Sequence, residues 1–211
     1  MTWRRAALIA AMLTLGACAD GGTRGTGIFT SVAGNVVSVN GADLAVGRDR
    51  SDVEDIQVWI EDSTAHSQTA ADGSFSLRGD FEGMVTLVFA PPTSAGQAQI
   101  ALNLPAGGTL TMHNVHVDTA QGTAIPDAAD VEFDGVITAT DCAGETLTMQ
   151  SVHHAPGDVD LYIVRLERSS LENMQGAPVP CADVRIGEQA SVQGAVNPDG
   201  TFGDATIVLQ N

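Results

Sequence analysis

The chain has 211 residues, a net charge of −17 and no lysine, its nine basic side chains all being arginine. Hydrophobic residues make up 44 % of it, so it is a globular chain and not an acidic disordered tail. So strong an excess of Asp and Glu repels nucleic acid and anionic membrane surface, and excludes those as electrostatic partners.

The first segment is ordered by residue type. Arg4 and Arg5 precede an apolar run, Ala6 to Leu15, which is followed by the small residues Gly16 and Ala17. A basic start, an apolar stretch of about ten residues and a small-residue break have the form of a secretory signal peptide. The run is shorter than the roughly 20 residues that span a bilayer. Leu15-Gly16-Ala17-Cys18 resembles the lipobox of bacterial lipoproteins. That resemblance implies cleavage after residue 17 and acylation of Cys18, with the protein held by several acyl chains; each buried methylene contributes about 0.8 kcal/mol. The alternative is an ordinary signal with a chance cysteine. "TWRRAAL" fits twin-arginine export only loosely, so the general secretory route is expected. Removing Arg4 and Arg5 with the signal leaves a net charge of −19. Residues 18–30 begin "CADGGTRGTG", a composition suited to a flexible tether. Ala19 follows the cysteine directly and the acidic residue comes one later, at Asp20. By the same resemblance this implies the outer membrane, facing the periplasm, reached through the lipid anchor.

From residue 31 the periodicity is two. "SVAGNVVSV", "IQVWIED", "MVTLVF", "AQIALNL" and "TLTMHNVHV" read as strands, and "TAADGSFSL" as a turn at Asp72-Gly73 leading into another. About six short strands in residues 31–118 predict an antiparallel β-sandwich. Gly34-Asn35-Val36, "VEDIQVWIED" and the hairpin from Thr69 to Leu77 resemble the carboxypeptidase-regulatory-like, or transthyretin-like, sandwich family. Members of that family serve as spacers or binding modules, which is the role the resemblance implies. The next stretch, 119–130, is small, polar and contains Pro126, and reads as an interdomain linker.

Residues 131–211 alternate again. "VEFDGVITAT" carries Gly135 at an expected bend, and "ETLTMQSV", "DLYIVRLE", "EQASVQGAV" and "FGDATIVLQ" follow. "RSSLENMQG", 168–176, reads as a short helix. Five strands with a helix between the third and fourth predict a small OB-like barrel, so the fold class is all-β. The carboxyl end, with Ile186-Gly187-Glu188 before a Gly-terminated strand and an Asp-Gly turn, resembles an exported bacterial OB-like family without an assigned function. Cys142 and Cys181 form an even pair in an oxidising compartment, and a disulfide between them is expected. It would close a loop of about forty residues and contribute roughly 3–4 kcal/mol.

Chemistry is sparse. Residues 131–211 hold twelve acidic side chains against three Arg, so no nucleic-acid groove is expected. Gly-x-Ser-x-Gly, His-Glu-x-x-His and phosphate-loop patterns are missing; an enzyme is not expected, nor is a cofactor. His113 and His116 stand three apart on a strand and should fall on opposite faces unless a bulge intervenes. His153 and His154, followed by Asp158 and Asp160, mix imidazole and carboxylate as a divalent-metal site would; solvated loop histidines are the other reading. Two functions follow from different classes. One is a non-catalytic envelope lipoprotein that binds, spaces or assembles an envelope protein or glycan. The alternative is a divalent-metal- or small-ligand-binding lipoprotein that uses the His153-His154 loop.

Overall fold

A computed structural model describes residues 29–43, 52–154 and 160–210. The expected signal segment, the lipobox-like stretch with Cys18, and Asp158 lie outside the described residues. The fold is all-β: a sandwich followed by a small barrel. Among the described residues there is no α-helix.

Eight strands precede the long one that joins the two parts. They are β1 (Thr30–Val39), β2 (Ala42–Asp43), β3 (Gln57–Ile60), β4 (His66–Gln68), β5 (Ser74–Gly79), β6 (Gly83–Ala90), β7 (Ala98–Leu104) and β8 (Thr109–Asp118). β1 pairs antiparallel with β5 and parallel with β8, while β4, β3, β6 and β7 form an antiparallel ladder in that order. The expected alternation sets the packing. Phe75 and Leu77 of β5 are buried between exposed Ser74, Ser76 and Arg78, and the Phe75 ring meets Phe89 of β6 edge-to-face at 5.5 Å. The Asp72-Gly73 turn is present. Gly73 has φ +79° and a Cβ there would lie 2.0 Å from the Val36 carbonyl oxygen, so only glycine fits.

β9 (Thr123–Asp141) is 19 residues long, and it corrects the reading of 119–130 as a linker. A tight turn, with Asp118 Oδ1 accepting the Ala120 and Gln121 N–H groups, leads straight into this strand. Its first half pairs antiparallel with β8 from Thr123 to Glu132. Its second half pairs with the strands of the barrel. Ala, Asp and Pro have low strand propensity, but the β8 ladder decides the outcome. Pro126 is tolerated because β9 is paired on only one side there.

The barrel adds β10 (Thr146–Ser151), β11 (Tyr162–Arg165), β12 (Ser170–Asn173), β13 (Gln189–Val196) and β14 (Phe202–Leu209). The ring closes in the order β9-β10-β11-β14-β13-β9, with one parallel contact, Val164 to Phe202. Gly135 pairs Ala190 on one edge and Ser151 on the other. A Cβ there would come within 3.0 Å of the Gln150 carbonyl oxygen, so the expected bend is a place of close strand approach. Phe133, Tyr162 and Phe202 fill the interior with centroids 5.5 to 6.0 Å apart.

The helix expected over 168–176 is replaced by β12, which pairs parallel with β14 from Ser170↔Thr206 to Asn173↔Leu209. No helical face exists to drive the alternative, since all four β12 residues are half-buried. Pairing satisfies the β14 edge that β11 leaves open, and Asn173 Oδ1 caps the following turn by accepting the Gln175 and Ala177 N–H groups. Cys142, just beyond β9, is bonded to Cys181 in a short 3-10 turn, with Cα atoms 5.8 Å apart.

The two halves share one continuous hydrophobic cluster. The end of β7 and the β7–β8 loop cap the barrel: Tyr162 Oη donates to the Leu104 carbonyl at 3.0 Å and Ser151 Oγ to the Ala106 carbonyl at 2.6 Å. Packing is also tight at Gly194, where a Cβ would lie 2.6 Å from Ala205 Cβ and 2.8 Å from the Gly203 carbonyl oxygen. Gly194→Ala is therefore expected to cost about 1–3 kcal/mol through overpacking, measured by urea unfolding; an unchanged midpoint would contradict this packing.

Candidate functional site

The histidine loop places its residues as follows. The N–H groups of His153 and His154 fold back on Ser151, donating to its Oγ (3.1 Å) and its carbonyl oxygen (3.4 Å). His153 is exposed and His154 half-buried. Asp160 lies against Gly83 of β6. Among the described residues no three His, Cys, Asp or Glu side chains are grouped to hold a metal ion, so no described geometry favours the metal reading.

His113 and His116 do not fall on opposite faces. Asn114 between them has φ +51°, and this left-handed residue breaks the alternation so that Met112 and Val115 both point inward. The two histidines consequently share the outer face. Each meets a carboxylate of β9: His113 Nε2 lies 2.9 Å from Asp130 Oδ2 and His116 Nε2 lies 3.3 Å from Asp127 Oδ1. Asn114 Nδ2 donates to Asp127 Oδ2 at 3.1 Å, and the Asn114 N–H to Asn35 Oδ1 at 3.2 Å.

His116 also approaches Ser38, with Nδ1 2.7 Å from Oγ. Ser38, His116 and Asp127 thus form a hydrogen-bonded line that sequence reasoning missed, because its members come from three strands and no local spacing announces them. Its geometry is the reverse of a nucleophilic triad, which exposes the serine and buries the carboxylate. Here Ser38 is 2 % exposed and the Asp127 side chain 58 %. The line joins β1, β8 and β9, and its role is to fasten these strands.

A groove of about 680 Å³ lies between β7, the first half of β9 and the β13–β14 turn. It exists because β7 and β9 pair only at Gln99↔Thr123 and then part. Met84 and Ile125, 71 % and 62 % exposed, stand beside it, with Ile100 and Leu102 below. The charged side chains lining it are Asp127 and Asp199, both acidic. Asp199 is held well below the usual carboxylate range, at about 2, first by the Thr201 hydroxyl, then by the Thr201 N–H and by Arg165. Thr201 Oγ1 donates to Asp199 Oδ1 at 2.6 Å and the Thr201 N–H at 3.1 Å. A depressed carboxyl stabilises the fold above its unfolded value and loses that contribution as pH falls toward 2. Thr201→Val removes the largest cause. Its Asp199 carboxyl should titrate above the value of about 2 that it has in the wild type, read from the side-chain carboxyl shift by NMR; an unmoved midpoint would show that the hydroxyl is not the cause.

No protein-family model matches the chain, and no curated protein is significantly similar to it. Among solved structures it is similar to a crystal structure of a DUF3823 family protein from Bacteroides ovatus, at 10 % identity, over 87 % of this chain and 100 % of that one, with a TM-score of 0.24. A superposition at that score does not establish a common fold.

Proposed function

We propose that the chain is a non-catalytic cell-envelope lipoprotein, anchored through acylated Cys18 and acting as a binding or assembly module at the outer membrane, facing the periplasm. The observation that carries the binding role is the open groove where the sandwich and barrel meet, with Met84 and Ile125 exposed beside it. An exposed apolar recess on a frame of hydrogen-bonded strands is a recognition surface. The lipobox Leu15-Gly16-Ala17-Cys18 supports the anchor, and the Cys142–Cys181 disulfide supports an oxidising compartment. The likenesses of the first part to carboxypeptidase-regulatory-like sandwiches and of the second to exported OB-like domains agree with a module that holds a partner and does no chemistry. The partner is an envelope protein or glycan; the acidic surface disfavours nucleic acid.

The anchor is tested by Cys18→Ala. Wild type is expected to pellet with membranes and to carry acyl mass on residue 18. The variant is expected to accumulate as precursor or as a soluble species. A variant that still fractionates with membranes at the mass of the mature wild type would overturn the lipoprotein reading.

A further inference from the structure

The wall of the groove formed by β7 is an unblunted sheet edge. On one side β7 pairs with β6 along its whole length, Gly83↔Leu104 to Phe89↔Ala98, without a register shift. On the other it meets β9 only at Gln99↔Thr123, where the Gln99 N–H donates to the Gly122 carbonyl at 3.1 Å. Backbone alternation then fixes the rest. The N–H and C=O groups of Ala101 and Asn103 point the same way as those of Gln99, into the groove, and those of Ile100 and Leu102 point to β6. Proteins usually blunt such an edge with Lys, Pro, a bulge or an inward charge. The β7 sequence, "AQIALNL", has none of these, whereas the β9 edge across the groove carries Pro126 and so lacks one donor.

Free edge amides and carbonyls select the occupant. They match an extended polypeptide, which offers the complementary groups at strand spacing, in preference to an acyl chain, which offers none. The neighbouring Met84, Ile100 and Ile125 favour apolar side chains in that strand. The lining carries no basic side chain and the net charge of the chain is −17, which favours basic residues at the ends of that strand. We infer that β7 receives an extended, apolar segment of a partner protein, flanked by Lys or Arg, which adds to the β6–β7 ladder as a further strand. This rests on the binding-module reading and gives it a ligand class. It is independent of the anchor, so its failure and the failure of acylation at Cys18 are distinguishable.

The test uses a fluorescent peptide of about ten residues, alternating Val and Thr between terminal lysines, and follows anisotropy with the signal-free protein. Three comparisons accompany it: the same peptide with glutamate ends, the same peptide N-methylated at alternate amides, and Ala101→Pro protein. Proline at 101 removes a groove-facing N–H and leaves the β6 bonds in place; Ala101→Val, which keeps the N–H, is the control. Saturable binding of the lysine-ended peptide is expected, weaker by about tenfold or more in each of the three comparisons, with Ala101→Val close to wild type. If Ala101→Pro does not fold, the N-methylated peptide decides alone. No saturable binding, equal binding of the glutamate-ended peptide, or equal binding of the N-methylated peptide would overturn the inference. A dimer in sedimentation that Ala101→Pro dissociates would give the edge to a second copy of this chain and overturn it as well.

Discussion

The structure depends on β9. Thr123–Asp141 is one unbroken strand that completes the sandwich with its first half and opens the barrel with its second. At Asp130 to Glu132 it belongs to both, bonded to β8 on one edge and to β13 on the other. A hydrogen-bonded backbone in that position cannot hinge as a linker would, because bending it breaks ladders on both sides. Burial reinforces the ladder. Leu104 and Ala106 are buried and their carbonyls accept from Tyr162 and Ser151 of the barrel, the Tyr162 hydroxyl finding its acceptor 58 positions away across the junction. A buried phenol without that carbonyl would cost about 1–3 kcal/mol, so the barrel core is completed by the end of β7 in the sandwich.

The same strand makes the groove. β13 begins to pair with β9 only at Asp130, and β7 leaves it after Thr123, so residues 124–129 line an open edge. Asp127 of this stretch and Asp130 just beyond it meet the two histidines of β8. A single irregularity, the left-handed Asn114, brings both imidazoles to the outside. These half-exposed pairs are solvent-screened and contribute little individually. Together with Ser38 and Asn35 they bind β1 to β8 and β9 at the place where the β1–β8 register shifts twice.

What the sequence revealed was local. Period-two runs, the Asp72-Gly73 turn and the even cysteine pair each have a cause visible in the sequence, and each is present, while Gly135 marks a close strand approach inside β9. The parts that depend on distant pairing were hidden. Ala128, Ala129 and Asp130 are poor strand formers, and only the β8 ladder makes them a strand. The 168–176 segment has helix-compatible composition, yet an open β14 edge claims it. The shared face of His113 and His116 turns on one φ angle. The line from Ser38 through His116 to Asp127 spans three strands, and the groove is a consequence of where two ladders part. Asp158 and Cys18 lie outside the described residues, so the metal-loop and lipidation expectations rest on sequence alone.

Sandwich and barrel form one cooperative unit through β9 and a common core. Two intrinsic probes separate them: Trp59 is the one tryptophan of residues 18–211 and lies on β3, and Tyr162 is the one tyrosine and lies in the barrel. Urea unfolding of the signal-free protein, followed by Trp59 fluorescence and by fluorine NMR of fluorinated Tyr162, is the direct test. Coincident transitions with one midpoint are expected. Two separated midpoints, with Tyr162 reporting one and Trp59 the other, would contradict a single cooperative unit.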